Sequence, residues 1–474
     1  MNMLAAERSV FDSRDLKDIV REIQDLYRSQ SRPWVIGYSG GKDSTATLQL
    51  VWQAVTSLPA EERTNRVYVI ASDTQVETPM IVEYITKNIA MLNAAAQEQG
   101  LPVEAALVKP DLNGSFWVNL IGRGYPAPTT RFRWCTERMK ILPANRFIES
   151  KVAEHGEVIM VLGVRSSESA TRAQLMNTYQ VGTEGLLRRH TTLRGAYVYA
   201  PIQDFSVKDV WAYLLSVQSP WGNSNRDLSA MYRNANAGEC PLVIDDTTPS
   251  CGNSRFGCWV CTVASRDSSM EAMIDNGEDW MEPLLAFRDW LAETTNPDKK
   301  RIYRDIKGRD GRVILKKDGT PAARTYKLEA NKDMLRKLLE IQAEVMRTGP
   351  DPDLRLITVD ELHEIRRIWR TERQDWDDSV PQIYAAAGSD PIHWPADDDA
   401  GFDASRKALL ESICAEHGVP FALVAQLLEA ERQSDGMARR ADIHKQVAAV
   451  LNQEWRSEDA IVDQELQLRL FGAP

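Results

Sequence analysis

"VIGYSGGKDSTATLQLVWQAV", Val35 to Val55, decides how the first half of the chain folds. An apolar, β-branched strand breaks at two adjacent glycines and resumes as an apolar-periodic helix. Ser39, Gly40, Gly41, Lys42, Asp43 and Ser44 therefore occupy a strand-to-helix turn. In an open α/β sheet, ligands bind beyond the carboxyl ends of the strands, and a Gly-rich turn that opens a helix presents backbone N–H groups to an anion. Lys42 adds a compact positive charge, so the turn suits a phosphate. A Walker A loop needs four residues between its first Gly and the Gly-Lys pair, then Ser or Thr. Here three residues separate Gly37 from Gly41, and Asp43 follows the lysine, which argues against a P-loop kinase or GTPase. The plain alternative, a tight turn with no ligand, leaves the lysine and the hydroxyls unexplained.

Outward from this turn, apolar runs recur at "PWVIGYS" (33–39), "VYVIAS" (67–72), "VEAALV" (103–108) and "VIMVLGV" (158–164), with helical patterns between the first three. The fold class read from this alternation is α/β, an open parallel sheet with helices on both faces. Strand-end residues Ala71, Ser72 and Asp73 would then lie beside the glycine turn. A lone Asp at a strand end is commonly a turn former, but its place one βα unit after the loop favours a functional role. Further on, "SVKDVWAYLLS" predicts a short helix with Ser206 as N-cap. A loop-rich stretch covers 219–256, residues 268–295 look helical, and "GRDGRVILKKDGTPAARTYKL" reads as a hairpin through Asp318-Gly319. The expected organisation is a nucleotide-binding α/β domain over 1–215, a cysteine and helical region over 216–298, a basic hairpin with helices over 299–374, an acidic linker over 375–401, and a helical tail over 402–474. No internal repeat is evident.

The chain has 474 residues, 43% hydrophobic, and a formal net charge of -11, so it is neither disordered nor coated in nucleic acid. The charge is uneven. Lys299 to Lys327 holds eleven Lys or Arg against three Asp, whereas Glu372 to Asp403 holds nine acids and one Arg. One surface could thus bind a polyanion. With no run of eighteen apolar residues and a charged N-terminal stretch, the expectation is a cytoplasmic protein without a membrane partner.

Four of the six cysteines, Cys240, Cys251, Cys258 and Cys261, fall within one short stretch, which suggests metal rather than disulfides. With one Cys-x-x-Cys pair and looser remaining spacing, zinc and iron–sulfur are close to balanced on spacing alone. Cys135 stands apart in "RFRWCTERMK", among Arg131, Arg133, Arg138 and Lys140, where cations would stabilise a thiolate; a packed thiol is the bland alternative. Arg165 and Arg172, after the fourth strand, could grip phosphates. His190 could contact a backbone phosphate, although single histidines are usually structural. Cys414 reads as core.

"SGGKDS" resembles the pyrophosphate loop of the PP-loop adenylating enzymes, which include PAPS reductases, tRNA thiolases and GMP synthetases. "FRWCTERMK", "GVRSSESATR", "PIQDFSVKDVWAYL" and "GECPLVIDDTTPSCGNSRFGCWVC" resemble the substrate-side motifs of the PAPS reductase branch, and together are similar to the DndC family of bacterial DNA phosphorothioation. The match covers about residues 15 to 310. It implies an ATP pyrophosphatase and sulfurtransferase using ATP, Mg²⁺ and a 4Fe-4S cluster held by the four clustered cysteines. Lys42, Asp43, Asp73, Cys135 and Arg165 would be catalytic. Ser39, Gly40, Gly41, Lys42, Asp43, Ser44, Ala71, Ser72, Asp73, Gly163, Arg165 and Arg172 would hold the nucleotide. The implied partners are DNA, a cysteine desulfurase as sulfur donor, and other subunits of the phosphorothioation complex. A sulfonucleotide reductase with a cluster would show adjacent cysteines and a Glu-Cys-Gly-Leu-His tail, neither of which is present. A nucleotide-sensing DNA-binding subunit without turnover is the non-enzymatic alternative.

Overall fold

The computed structural model describes residues 9–166, 180–181, 185–234, 257–388, 390–395, 402–434 and 443–471. The chain divides into two compact units, Met1–Asp111 with Thr130–Met281, and Leu112–Thr129 with Glu282–Pro474.

The first unit is built on a seven-stranded sheet: β1 (Trp34–Gly37), β2 (Val67–Ser72), β3 (Val103–Val108), β4 (Val158–Val161), β5 (Gln180–Val181), β6 (Leu187–Arg189) and β7 (Ala196–Tyr199). Their order is β3-β2-β1-β4-β7-β6-β5. Five strands, β3 to β7 in that order, run parallel, and the edge strands β6 and β5 are antiparallel. The four apolar runs become β1 to β4. The expected parallel sheet is present, extended by an antiparallel edge whose short strands carry Arg188 and Arg189 and lack a long apolar signature.

Alternation along each strand splits the core in two. Trp34 and Ile36 of β1 and Val67, Val69 and Ala71 of β2 pack with α1 (Leu16–Ser29), α2 (Lys42–Thr56), α3 (Pro79–Glu98) and α5 (Val207–Ser216). Val35, Tyr68, Ile70, Val158 and Met160 face the other way, against Ala144, Phe147, Ile148 and Val152 of α4 (Leu142–His155). Helices thus cover both faces, which is why the strands are apolar without a polar side. β1 is central, between β2 and β4, and the chain reverses its winding direction at the β1/β4 pair. In a doubly wound sheet, the crevice at such a reversal is where ligands bind.

α6 (Asn225–Asn234) and α7 (Ser268–Asp275) are the remaining described helices of eight or more residues in this unit. Ser206 caps α5 as expected: its side chain accepts from Asp209 N–H, and Asp209 accepts from Ser206 N–H in return.

The second unit is mainly helical: α8 (Glu282–Glu293), α9 (Leu328–Thr348), α10 (Val359–Glu372), α11 (Ser379–Ala386), α12 (Ala404–His417), α13 (Phe421–Ser434), α14 (Ile443–Leu451) and α15 (Glu458–Phe471). It includes Leu112–Thr129, a stretch assigned from sequence to the α/β domain. Buried Trp117 there donates to Leu356 O at 2.7 Å, and Trp369 of α10 donates to Ile121 O at 2.9 Å. The acidic span expected to be a linker over 375–401 is structured at its start: α11 buries Val380, Ile383 and Tyr384, and Asp375 receives the Ser379 N–H at 2.8 Å. Acidic composition concealed an apolar helical face. The basic hairpin is present, with Leu315 bridged to Pro321 and Gly319 at φ 84° in its turn.

Candidate functional site

The glycine turn folds as a cradle at the carboxyl end of β1. Gly40 has φ 73°, a left-handed conformation that favours glycine, and a Cβ there would meet Tyr84 at 3.2 Å. Gly41 is the N-cap of α2 and has no side chain to cap it. The hydroxyls tie the turn to the helix: Ser39 N–H donates to Ser44 Oγ at 3.2 Å, and Ser44 Oγ donates to Gly41 O at 3.0 Å. The start of α2 therefore points backbone donors and the positive end of the helix dipole out of the sheet.

Asp43 organises the charge. Its Oδ2 lies 2.7 Å from Lys42 Nζ and its Oδ1 accepts from Arg165 Nε at 2.7 Å. Both cations are only 2% exposed, so Asp43 is a carboxylate shared between two buried positive groups. Arg165 arrives from the segment after β4, held to β7 and beyond by Leu162 N–H to Tyr199 O and Ser166 N–H to Gln203 O. Gly163 permits the approach: a Cβ there would lie 2.8 Å from Asp43 C, Asp43 O and Ser44 N. Two sequence motifs 122 residues apart thus meet at the switch point.

Ala71 and Ser72 end β2, and the buried Ser72 hydroxyl has no hydrogen-bond partner among the described residues. Asp73 follows, its Oδ1 accepting from Gln75 N–H at 2.8 Å and its Oδ2 3.0 Å from Lys109 Nζ. It is both a turn former and a charged group at the strand end.

This same turn carries the cysteine segment. Glu77 pairs with Cys258 as an antiparallel bridge, Trp259 N–H donates to Val76 O at 2.9 Å, and Thr74 Oγ1 lies 3.3 Å from Cys258 Sγ. Cys261 N–H closes a turn on Cys258 O at 3.0 Å. Burial pushes the Cys258 thiol well up and Glu77 adds to the shift, while Lys140 opposes it. Burial also raises Glu77, again against Lys140. A thiol that ligates a metal does so as the thiolate, its proton released to solvent. Trp259 itself is buried. Lys140 belongs to "RFRWCTERMK", so that motif reaches the cysteine turn through its lysine. Cys135 lies half-buried in the helical turn Trp134–Thr136. Arg172, Cys240 and Cys251 lie outside the described residues.

Sequence reasoning missed Tyr232, whose hydroxyl accepts the Lys42 N–H at 3.1 Å, and Glu77, and it gave Thr74, beside Asp73 at the strand end, no role. Tyr232 and Glu77 lie in no motif and are found only by following contacts. His190 is structural: its Nδ1 accepts from Leu193 N–H at 3.0 Å within a turn. Arg188 is buried in β6, where a DNA backbone would not reach it. Cys414 is core in α12, as read.

Residues 33–264 match the family model described as the phosphoadenosine phosphosulfate reductase domain. The chain carries a PAPS reductase-like domain. Residues 407–451 match a second model, described as a small protein found in certain Dnd DNA modification systems; they span most of α12, α13 and α14. An uncharacterized protein of Methanocaldococcus jannaschii is 26% identical over 219 residues, 46% of this chain and 38% of that protein. The chain thus spans about two-fifths of the length of that relative. Among solved structures, a phosphoadenylyl-sulfate reductase of Candida auris aligns at a TM-score of 0.30 with 12% identity, over 49% of this chain and 96% of that one. The U34-tRNA thiolase of Methanococcus maripaludis with its [4Fe-4S] cluster aligns at 0.26 with 14% identity, over 46% and 74%. The NH3-dependent NAD synthetase of Campylobacter jejuni aligns at 0.26 with 15% identity, over 61% and 97%. No helix among the described residues is long and apolar enough to cross a membrane.

Proposed function

We propose that this protein cleaves ATP between the α and β phosphates to adenylate a DNA backbone phosphate, and then replaces a non-bridging oxygen by sulfur. The observation that carries the reading is the Lys42–Asp43–Arg165 cluster at the start of α2, beside backbone donors aimed out of the sheet. That arrangement suits a pyrophosphate leaving group: N–H groups, an ammonium and a guanidinium are fixed before the charge develops. The Dnd match over 407–451 supports DNA modification as the setting, with other subunits of that system as partners.

In the first step a non-bridging oxygen of a DNA phosphate bonds to the α-phosphorus and the bond to pyrophosphate breaks. In the second, the sulfane sulfur of a persulfide, supplied by a cysteine desulfurase, bonds to the DNA phosphorus and AMP leaves. Freeing the carrier sulfur requires two electrons from a thiol reductant. The residues act by placement. Ser39, Gly40, Gly41 and Ser44 shape the seat, Lys42 and Arg165 hold charge, and Gly163 allows the close approach. Ala71, Ser72 and Asp73 border the nucleotide, Asp73 offering an oxygen donor to Mg²⁺. Arg172 would add a phosphate contact, and Cys135 is the thiol proposed nearest the sulfur chemistry. Cys240, Cys251, Cys258 and Cys261 are the four thiols that would hold a 4Fe-4S cluster.

The test uses protein purified without oxygen and assayed for about four irons per chain, then incubated with ATP, DNA and a desulfurase. AMP and pyrophosphate, with phosphorothioate dinucleotides in the digested DNA, are expected; ADP and orthophosphate as main products would sink the reading.

A further inference from the structure

We infer that Tyr232 stands in for phosphate: its hydroxyl occupies the anion seat at the start of α2 and is displaced when a pyrophosphate group binds. The inference rests on the proposed role of the glycine turn and adds to it a residue that no motif identifies.

An isolated helix start is normally capped by the residue that precedes it, with a Ser, Thr, Asp or Asn oxygen accepting a first-turn N–H. At α2 the preceding residue is Gly41, which supplies no such oxygen. The acceptor comes instead from 190 residues along the chain, where Tyr232 Oη takes the Lys42 N–H at 3.1 Å. The position is the one glycine leaves open, since a Cβ on Gly41 would lie 3.0 Å from the same hydroxyl. Lys42 Nζ lies 5.8 Å from the centroid of the tyrosine ring, so the phenol sits over the charged end of the seat as well as over its backbone. An oxygen that accepts a helix-start N–H beside a lysine is where a phosphate oxygen would go.

The ring is held by its neighbours rather than by the seat. Tyr232, half-buried on α6, packs edge-on against Trp211 of α5 at 5.1 Å between centroids and an interplanar angle of 78°. Neutral phenol to backbone N–H is an ordinary hydrogen bond with a modest net contribution, whereas a phosphate oxygen makes charge-assisted bonds to the same donor and to the lysine. Exchange therefore favours the anion. The hydroxyl keeps the buried donor satisfied while the seat waits and competes with the ligand for it. A tyrosine that only capped the helix would stabilise the fold and leave anion affinity unchanged or lower when removed.

Titrating the full chain with inorganic pyrophosphate by calorimetry separates these outcomes. Tyr232→Phe, which keeps the ring and its packing on Trp211, is expected to bind pyrophosphate about three- to tenfold more tightly, the factor set by loss of one competing neutral hydrogen bond. Lys42→Ala is expected to lose binding. Hydrogen exchange over the peptide containing Lys42 should be faster in the Tyr232→Phe protein without ligand, and equal to wild type at saturating pyrophosphate. Equal or weaker pyrophosphate binding by Tyr232→Phe, with Lys42→Ala still defective, overturns the role of Tyr232 and leaves the seat standing. Unchanged binding by Lys42→Ala overturns the seat itself, and the role of Tyr232 with it.

Discussion

Gly163 has no room for a methyl group. The three atoms that a Cβ there would meet at 2.8 Å are backbone, at Asp43 and Ser44, and cannot rotate away as a side chain would. Gly163→Ala should therefore push the segment after β4 off the start of α2, separating Arg165 from the Asp43 carboxylate. Overpacking of this kind costs about 1–3 kcal/mol. A lower urea midpoint together with weaker pyrophosphate binding is the expected result, and a variant matching wild type in both would contradict the contact. At this scale the reading from sequence reached Lys42, Asp43, Gly163 and Arg165, because each lies in a motif. It did not reveal that Asp43 is shared by both cations, nor that Thr74 and Glu77 sit against Cys258.

One helix start was legible in its cap: Ser206 and Asp209 form the reciprocal cap of α5, whereas the same box made by Thr358 with Glu361 at α10 was not singled out from the sequence. Glu361 adds a pH dependence because it is buried. Desolvation raises its pKa above 4.5, although Thr358 N–H donates to it at 2.9 Å. Folded protein thus holds a proton that the unfolded chain releases, so the stability this group contributes is complete below its unfolded pKa and lost as pH rises through the folded one. Glu361→Gln retains an acceptor for the Thr358 N–H and removes the titration. Urea midpoints measured from pH 4.5 to 7 should fall less with rising pH in the variant than in wild type; parallel curves would show that Glu361 does not titrate in this range. α11 shows the limit of composition as a guide, since four acids between Glu372 and Asp378 look like solvated linker while Asp375 is 1% exposed beneath Lys332.

Across the whole molecule, the basic segment Lys299 to Lys327 partly satisfies itself. Arg304 donates to Arg324 O at 2.8 Å, Lys327 donates to Arg301 O, and Arg301 pairs with Glu458 of α15. The tail is docked on the same unit: Trp376 stacks on Phe402 at 4.5 Å, Lys307 lies 4.3 Å from the Trp455 ring, and a cavity of about 680 Å³ lies between hairpin and tail. Arg312, Lys316 and Lys317 are among the exposed cations of the hairpin, where the proposed DNA substrate would meet them. Changing all three to Ala should weaken DNA binding and lower the slope of log affinity against log salt by up to about three, because each phosphate contact contributes roughly 0.9. ATP affinity should hold. An unchanged slope would move the footprint to Arg131, Arg133 and Arg189 or to a partner subunit.

By itself, the sequence determined what is local. Apolar runs bounded by turns specify β1 to β4, Ser206 starts α5, and the glycine turn ends β1 and opens α2, since each signal lies within a few residues of the structure it directs. Only the tertiary structure decided what is distant. The β3-β2-β1-β4-β7 order brings Arg165 to Asp43 and Tyr232 to Lys42 across 122 and 190 residues. The same packing places Leu112–Thr129 in the helical unit and follows an acidic stretch with a helix that buries Val380, Ile383 and Tyr384. Those outcomes follow from burying apolar faces against one another, and which faces meet is a property of the whole chain rather than of any window along it.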